Sequence, residues 1–112
     1  MGTLFEKIAA GEIPAEFLYR DGKCFVIRDI APQAPLHLLI IPQKPIRSLA
    51  DAENGDCELL GHLLLIAKRM ADKYAPGGDF RLVANSGESA GQSVPHLHLH
   101  LLAGRSLAWP PG

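Results

Sequence analysis

The chain has 112 residues, of which 47% are apolar and 21% charged, with a formal net charge of −1. This length supports one hydrophobic core, so we expect a single domain over residues 1–112. Lysine and arginine are dispersed, which argues against nucleic acid as a partner, and no apolar run is long enough to cross a membrane. The first residues lack the pattern of a signal peptide, and Cys24 and Cys57 have no partner spacing. These features predict a cytoplasmic protein with two reduced, buried thiols.

The first third of the chain predicts a short helix and then a β-hairpin. Thr3 and Glu6 are spaced as a capping box, and Gly11 ends the apolar stripe that follows them. Two β-like runs then flank Asp21-Gly22, the strongest short-range hairpin signal. Alternation divides the second run between two faces, one with Phe25, Ile27 and Asp29 and the other with Cys24, Val26 and Arg28.

Four further segments complete the predicted secondary structure. Residues 36–42 are an apolar run typical of a buried strand, and residues 79–85 predict a further strand. Between them, residues 51–74 carry apolar side chains at the i, i+3, i+4 spacing of a helix. Residues 96–102 alternate histidine with leucine and predict the last strand. The count of five strands and two helices predicts an α+β domain.

The last predicted strand carries three of the five histidines in the chain. Alternate residues of a strand point to the same face, so His96, His98 and His100 form a row opposite the leucines, which face a core. His37 lies in the predicted strand over 36–42, on the face that it shares with Leu39 and Ile41. A lone histidine in such a strand is more often a core residue, so the row of three is the main candidate for a site.

The residues alone leave more than one use for this row. Histidine can simply be tolerated on a half-exposed strand. It can also bind zinc, but the outer two Cα atoms are ~13 Å apart and a Zn–N bond is only ~2.1 Å, so one ion can take two of the row plus His37 but not all three. The nearest acid considered for such a site, Glu88, lies in a flexible loop, and no carboxylate cluster completes the site. We therefore expect that zinc can bind but that no metal is required.

The remaining use is catalysis at phosphorus. A neutral imidazole has a lone pair and a pKa of ~6.5, so it can attack phosphorus at cellular pH. Neighbouring imidazoles can fix its tautomer or donate a proton to the leaving group. The loop before the row contains Gly87, Gly91 and Ser93, where backbone N–H groups can cradle a phosphate. Loop and row together favour phosphoryl chemistry.

These residues resemble the histidine triad (HIT) superfamily, whose mark is His-φ-His-φ-His-φ-φ with φ apolar. The stretch HLHLHLL at 96–102 satisfies every position. The stretches DIAPQAPLHLLIIP, RLVANSGESAGQSVPHLHLHLLAGR and WPPG extend the similarity to the Hint branch, the histidine triad nucleotide-binding proteins. The resemblance implies a HIT-like fold, a five-stranded antiparallel sheet with two helices, which pairs into a homodimer with a ten-stranded sheet.

The resemblance also implies an enzyme that binds the AMP or GMP moiety of a purine nucleotide and cleaves a phosphorus–nitrogen bond without a required cofactor. By likeness, His98 is the nucleophile that forms a nucleotidyl-histidine, and His100 contacts the α-phosphate and assists proton transfer. His96 orients His98 through its backbone, and His37 matches the fourth histidine of the family.

Further substrate contacts follow from the same resemblance. Asp29 matches the ribose-binding acid. The apolar base pocket is matched by Phe5, Ile8, Ile27 and Ile30. The positions that contact phosphate and leaving group are matched by Asn85, Gly91, Gln92 and Ser93. The tail with Trp109 resembles a segment that reaches toward the active site of the partner subunit and tunes the choice of leaving group.

Several alternatives accompany these assignments. Ile27 stands where close animal relatives carry an aromatic residue, which predicts weaker base stacking. Without the resemblance, Asp29 is equally expected in a surface ion pair with Arg20 or Arg28, and Trp109 in a packing role.

Two other functions stay open on the sequence. Hydrolysis of dinucleoside polyphosphates uses the same chemistry at the α-phosphate and differs only in the leaving group. A nucleotide- or zinc-binding adaptor would instead act through a partner protein. The predicted long helix is apolar enough for both a core and a dimer interface, and its His62 is interpreted as an interface or surface residue.

Overall fold

Five antiparallel strands form one sheet, with a helix packed on each face. The computed structural model describes residues 2–112. The strands in chain order are β1 Tyr19–Arg20, β2 Cys24–Arg28, β3 Leu36–Pro42, β4 Arg81–Val83 and β5 Leu99–Ala103. Their spatial order is β1-β2-β3-β5-β4, and every neighbouring pair is antiparallel. The helices are α1, Leu4–Ala9, and α2, Cys57–Tyr74. The predicted architecture of five strands and two helices is confirmed.

The shorter helix, α1, begins at the predicted capping box. The Thr3 hydroxyl accepts from the N–H of Glu6 at 3.3 Å, and the Glu6 carboxylate accepts from the N–H of Thr3 at 3.1 Å. Gly11 follows the helix with a φ of 80°, the left-handed conformation common at this position. The helix packs on one face of the sheet in a small apolar cluster made of Phe5, Ile8, Phe25, Ile27, Leu39 and Ile41.

The longer helix, α2, covers the other face and forms the main core. Its buried stripe consists of Leu63, Ile66, Ala67, Met70 and Ala71. The sheet contributes the alternate residues of its strands, among them Cys24, Val26, Leu38, Ile40 and Leu101. The predicted division of β2 and β3 between two faces is therefore confirmed. Within residues 2–112, neither α2 nor any other helix combines the length and apolarity needed to cross a bilayer.

The predicted helix over 51–74 begins later, at Cys57. Ala52 has a ψ of 148°, an extended conformation that interrupts the helix. Short 3-10 turns occupy the preceding stretch at Leu49–Asp51 and Asn54–Asp56. The start at residue 51 was therefore wrong, because apolar periodicity does not detect single turns that are held by local hydrogen bonds.

The last two strands are shorter than predicted. β4 covers Arg81–Val83 rather than 79–85, and β5 begins at Leu99 rather than at the first histidine of the row. Before Leu99 the chain bonds to a loop, where the N–H of Leu97 donates to the carbonyl oxygen of Ile46 at 2.7 Å. The leucines of the segment still enter the main core, so the row keeps its predicted alternation.

Both cysteines are free, as predicted, but only one of them is buried. Cys24 is fully buried in β2, whereas Cys57 is exposed. The prediction that Cys57 is buried is wrong, because this residue opens α2 and the buried stripe of that helix starts only at Leu63.

Candidate active site

A cavity of about 230 Å³ lies under α1, on the face of the sheet that carries the histidines. Its apolar lining consists of Leu4, Phe5, Ile8, Ile27, Ile30, Leu39 and Val94. Its polar lining consists of Arg28, Asp29, Ser93, His98 and His100. The residues predicted for the base pocket, the ribose acid and two histidines of the row thus meet in one cavity.

His98 is held in the tautomer that a nucleophile needs. Its Nδ1 lies 2.7 Å from the carbonyl oxygen of His96, and a carbonyl oxygen only accepts, so Nδ1 carries the proton. The lone pair is then on Nε2. Burial lowers the pKa of His98, so the ring is neutral at pH 7. The ring of Phe5 packs edge-on against it, with a centroid distance of 4.9 Å.

His96 does not line the cavity, although it belongs to the same row. Its Nε2–H donates to the carbonyl oxygen of Pro42 at 2.8 Å, and the Thr3 hydroxyl lies 3.5 Å from its Nδ1. The residue is 1% exposed. Its ring therefore ties the segment before β5 to the end of β3, while its backbone carbonyl holds the ring of His98.

His37 and His100 are diagonal neighbours on β3 and β5, since His100 pairs in register with Leu39. The N–H of Gln33 donates to His37 Nδ1 at 3.0 Å, so the proton of His37 is on Nε2. This Nε2 lies 2.9 Å from His100 Nδ1, which must accept, so His100 carries its proton on Nε2. Burial, and then the adjacent His98 and His37, lower the pKa of His100 to about 4.

The carboxylate of Asp29 faces both rings of this pair. Its Oδ1 accepts from the N–H of Ala31 at 2.8 Å. Its Oδ2 lies 3.3 Å from His37 Nε2 and 3.9 Å from His100 Nδ1. The negative charge of Asp29 favours the protonated form of His100 and so opposes part of the lowering of its pKa.

The alternative partners considered for Asp29 lie elsewhere. The guanidinium group of Arg20 stacks over the ring of Phe17 at 4.7 Å, and that of Arg28 lies 5.9 Å from the centroid of Tyr74. Among the described residues, the ion pairs of Asp29 are with histidines only. The surface ion pair with arginine is therefore not formed.

The ligand atoms of Asp29, His37 and His100 lie within 4.8 Å of one another, so the acid nearest the histidines is Asp29 and not Glu88. A metal ion on His37 Nε2 would require the ring proton on Nδ1, where it would face the N–H of Gln33. Two donors cannot share one hydrogen bond. The hydrogen bonds of His37 therefore favour a hydrogen-bonded chain through Gln33, His37 and His100 over a metal centre.

The loop before the row is braced by the side chain of Gln92. Its Oε1 accepts from the N–H of Gly87 at 2.8 Å. Its Nε2 donates to the carbonyl oxygens of Arg47 at 2.8 Å and Val94 at 3.0 Å. Both the carbonyl and the NH₂ group of this amide are thus bonded to backbone of the loop and of the segment at Arg47. Gln92 therefore stabilises the conformation of the loop without lining the first cavity.

The loop residues that are predicted to contact phosphate or leaving group differ in whether they line the cavity. Ser93 lines the cavity and is exposed, whereas Asn85, Gly91 and Gln92 do not line it. Gly91 has a φ of 97°, and a Cβ placed there would lie 3.7 Å from the amide nitrogen of Asn85. The direct contacts of Asn85, Gly91 and Gln92 with phosphate or leaving group stay predictions.

A second cavity of about 420 Å³ adjoins the first and shares Ser93 with it. Its lining consists of Arg47, Ser48, Gly87, Glu88, Gln92, Ser93 and Pro95. Arg47 and Glu88 place a cation and a carboxylate in its lining.

Two predicted contact residues lie at or beyond the edge of the site. Ile30 is 98% exposed and forms the rim of the cavity rather than its wall. Trp109 is 81% exposed and does not line the cavity of its own chain. The tail before it is held by Arg81, whose guanidinium group donates to the carbonyl oxygens of Leu107 and Ala108. The role predicted for Trp109 needs a second chain.

Sequence reasoning missed some participants. Gln33 acts through its backbone N–H, which leaves no side-chain signal. Leu39 had a signal, because it shares a strand face with His37 and therefore had to lie near any site built on that face. Leu4 and Val94 enter the lining through the packing of α1 and the loop, which strand alternation does not describe.

Comparisons with known proteins agree on one family. The HIT domain family matches residues 10–107. Uncharacterised HIT-like proteins of Synechococcus elongatus and Synechocystis sp. are each 52% identical over 110 residues, which is 98% of this chain and 96% of each relative.

Solved structures of this kind share the fold over nearly the whole chain. A HIT family hydrolase from Legionella pneumophila has a TM-score of 0.94 and 48% identity, covering 99% of this chain and 100% of that one. A histidine triad nucleotide-binding protein from Candida albicans has a TM-score of 0.79 and 27% identity, covering 99% of this chain and 85% of that one.

Proposed function

The chain belongs to the HIT domain family, and we propose that it is a purine nucleoside phosphoramidase of the Hint type. It hydrolyses the P–N bond of adenosine 5′-monophosphoramidates, in which AMP is joined to an amine such as that of lysine. The reaction passes through a nucleotidyl group on His98. The observation that carries the proposal is the free Nε2 lone pair of a neutral His98 beside a cavity with an apolar wall and a carboxylate, Asp29.

In the first step, His98 Nε2 attacks phosphorus in line with the leaving amine. The new N–P bond forms as the P–N bond to the amine breaks, and the electron pair goes to the amine nitrogen. The His98 ring becomes cationic, and its Nδ1–H stays on the carbonyl oxygen of His96, which stabilises that charge.

The leaving amine takes a proton from His100. A phosphate anion bound beside this ring raises its pKa again, because the negative charge offsets burial and the neighbouring rings. The imidazolium then donates from Nε2 to the amine nitrogen. Asp29 balances the positive charge of this imidazolium. When His100 Nδ1 is protonated it no longer accepts a hydrogen bond from His37. The Nε2–H of His37 then donates to Asp29 Oδ2, which lies 3.3 Å from Nε2.

In the second step, water attacks the nucleotidyl-histidine. The neutral His100 accepts a proton from the water, the bond between phosphorus and His98 Nε2 breaks, and AMP leaves. The electron pair returns to Nε2, which restores the starting tautomer. The cycle needs no metal ion or cofactor.

The lining of the cavity supports a purine nucleotide as the substrate. Phe5, Ile8, Ile27 and Leu39 offer an apolar surface to a base, and Asp29 lies at the mouth with a carboxylate that can accept from ribose hydroxyls. The aliphatic Ile27 supplies contact but little stacking, which predicts a modest affinity for the base.

The proposed enzyme acts as a homodimer. β4 is an edge strand, and Leu64 and Leu65 on the outer side of α2 are 54% and 58% exposed. Pairing of two β4 edges would give the ten-stranded sheet and cover these leucines. It would also allow Trp109 of one chain to approach the cavity of the other. Light scattering in solution tests this assembly.

The activity is tested with an adenosine phosphoramidate at neutral pH. His98→Ala should abolish turnover, and His62→Gln is the matched control because His62 lies in α2, away from the cavity. Quenching with an alkaline denaturant during turnover preserves the acid-labile N–P bond, and should leave one nucleotidyl group on His98, located by mass spectrometry of the peptide at neutral to alkaline pH. If wild type is no faster than His98→Ala, the proposed function is wrong.

Hydrolysis of dinucleoside polyphosphates is the second candidate. The adjoining cavity with Arg47 favours it, since a cation there can attract a phosphate-bearing leaving group. Glu88 in the same cavity opposes it. Rates on diadenosine tetraphosphate and on an adenosine phosphoramidate, compared at equal concentration, decide between the two.

A further inference from the structure

A second cluster of chemically active side chains lies on the other side of the sheet, where the turn between β1 and β2 meets α2. We propose that Asp21, Cys24 and His62 bind Zn²⁺ or a similar borderline-soft divalent cation. One ligand atom from each lies within 4.8 Å of the other two. None of the three lines the cavity that holds the catalytic candidates.

The spacing of Asp21 and Cys24 is typical of two metal ligands that are supplied by one turn. Asp21 and Cys24 flank a tight hairpin turn with two residues between them, the separation at which paired ligands commonly hold zinc. The third ligand, His62, comes from the helix that packs over the turn, and its Nε2 is 2.6 Å from Asp21 Oδ2. A turn and a helix thus supply ligands from two directions.

The carboxylate is already oriented for a metal by its surroundings. Asp21 Oδ1 accepts from the backbone N–H groups of Lys23 at 2.7 Å and Cys24 at 2.8 Å. This leaves Oδ2 directed at His62, and the Tyr19 hydroxyl donates to the same oxygen at 2.7 Å. Hydrogen bonds of this kind fix ligating carboxylates in metal sites and tune their affinity.

The donor set matches a borderline cation in charge and softness. One thiolate, one imidazole and one carboxylate give sulfur, nitrogen and oxygen ligands, which suit Zn²⁺ better than Ca²⁺ or Mg²⁺. On binding, the thiol proton of Cys24 passes to solvent, and His62 carries its proton on Nδ1 instead of Nε2. A divalent ion with one thiolate and one carboxylate then forms a neutral centre.

The site is open on one side only. Cys24 is fully buried, whereas the side chains of Asp21 and His62 are 25% and 24% exposed. An ion can therefore enter from solvent past the carboxylate and the imidazole, and a water molecule completes four-coordination. Binding there would fasten the β1–β2 turn to α2.

Cobalt(II) is the probe that isolates this site, because a Co²⁺–thiolate bond gives a charge-transfer band that carboxylate and imidazole ligands alone do not. Metal-free full-length protein should bind one Co²⁺ with this band, and one equivalent of Zn²⁺ should remove it. Cys24→Ser should lose the band and Cys57→Ser should keep it, since Cys57 is the other, exposed thiol. Tyr19→Phe should weaken binding by about tenfold through the loss of the hydrogen bond to the ligand carboxylate.

His62→Gln provides a second variant at a half-exposed position, so the test does not depend on how Cys24→Ser folds. Metal binding to the folded protein should raise the Tm of wild type, and His62→Gln should weaken Co²⁺ binding and remove this rise. A wild-type protein without the charge-transfer band overturns the proposal, and so does a band that persists in Cys24→Ser or disappears in Cys57→Ser. Binding without the band would show that the ion is not bound to Cys24, and it too overturns the proposal.

Discussion

The Nδ1–H of His98 donates to the carbonyl oxygen of His96 over 2.7 Å, so two histidines of the same row contribute different atoms to the site. His98 offers a ring nitrogen to the cavity, whereas His96 offers its backbone and keeps its ring in the packing between strands. The row is therefore not three equivalent imidazoles, and its members should respond differently to substitution.

Replacement of His96 by alanine should damage stability more than chemistry. The change leaves the carbonyl oxygen of Pro42 without its donor and opens a void, which together lower the free energy of unfolding by about 2–4 kcal/mol. Urea denaturation measures this loss. His98→Ala should instead reduce kcat by about 10³-fold or more with little loss of stability. Equal kcat values for the two variants would contradict this division.

His100 should matter most for substrates whose leaving group needs a proton. His100→Ala is expected to slow hydrolysis of an alkylamine phosphoramidate by about 10²–10⁴-fold, the usual contribution of a general acid. The p-nitrophenyl ester of AMP should be slowed far less, because p-nitrophenolate leaves without protonation. Initial rates on both substrates test the assignment, and an equal loss on both would show that His100 only binds phosphate.

Stability should fall as the pH drops from about 6.5 toward 4, and His100 is one cause. Its pKa in the folded protein is about 4, whereas the unfolded chain takes up a proton near the ordinary value of ~6.5. Between these values the unfolded state binds more protons, so the free energy of unfolding decreases as the pH falls. Tm measured at pH 7.5 and pH 5 should show a larger drop for wild type than for His100→Asn.

Asp29 should contribute through the ribose of the substrate. Asp29→Asn is expected to lower kcat/KM for the ribonucleotide by about 10- to 100-fold, since a hydrogen bond to a charged group is worth about 1.5–3 kcal/mol. A 2′,3′-dideoxy substrate lacks the hydroxyls and should lose much less. The four kcat/KM values form a double-mutant cycle. The same loss on both substrates would limit Asp29 to its contact with His37.

The two cysteines should differ sharply in reactivity. Burial raises the pKa of the Cys24 thiol to about 12, and the side chain has no exposed surface, whereas Cys57 is exposed. A thiol reagent at pH 8 with a chelator present should therefore label one cysteine in the folded protein and both after unfolding. Cys57→Ser should show no fast labelling. Fast labelling of Cys24 would mean that the β1–β2 turn opens readily.

Sequence patterns predicted those parts of the fold that depend on neighbours along the chain. The capping box of Thr3 and Glu6 starts α1, and the alternation of histidine and leucine correctly divided the last segment between two faces. The start of α2 was misplaced, because Ala52 and its flanking turns depend on local hydrogen bonds rather than on apolar spacing. Periodicity detects which face is buried and is weak at element boundaries.

The sequence predicted several of the residues that line the cavity, but it did not predict their hydrogen bonds. His37 and His100 come together through strand register, and their tautomers follow from the backbone N–H of Gln33, which no side-chain pattern reveals. The approach of Asp29 to these rings is a long-range contact that the sequence left open between ribose binding and an arginine pair. Tertiary geometry decided each of these points.

Every residue of β3 is buried, and β3 is the middle strand of the sheet. Amide protons at such a position exchange with solvent only when the whole molecule unfolds. His37 is anchored on this strand and His100 on its neighbour, so the two histidines proposed for proton transfer should stay in place until the whole protein unfolds. Heat should therefore abolish the proposed activity and melt the tertiary structure at the same temperature, without a prior inactive but folded stage.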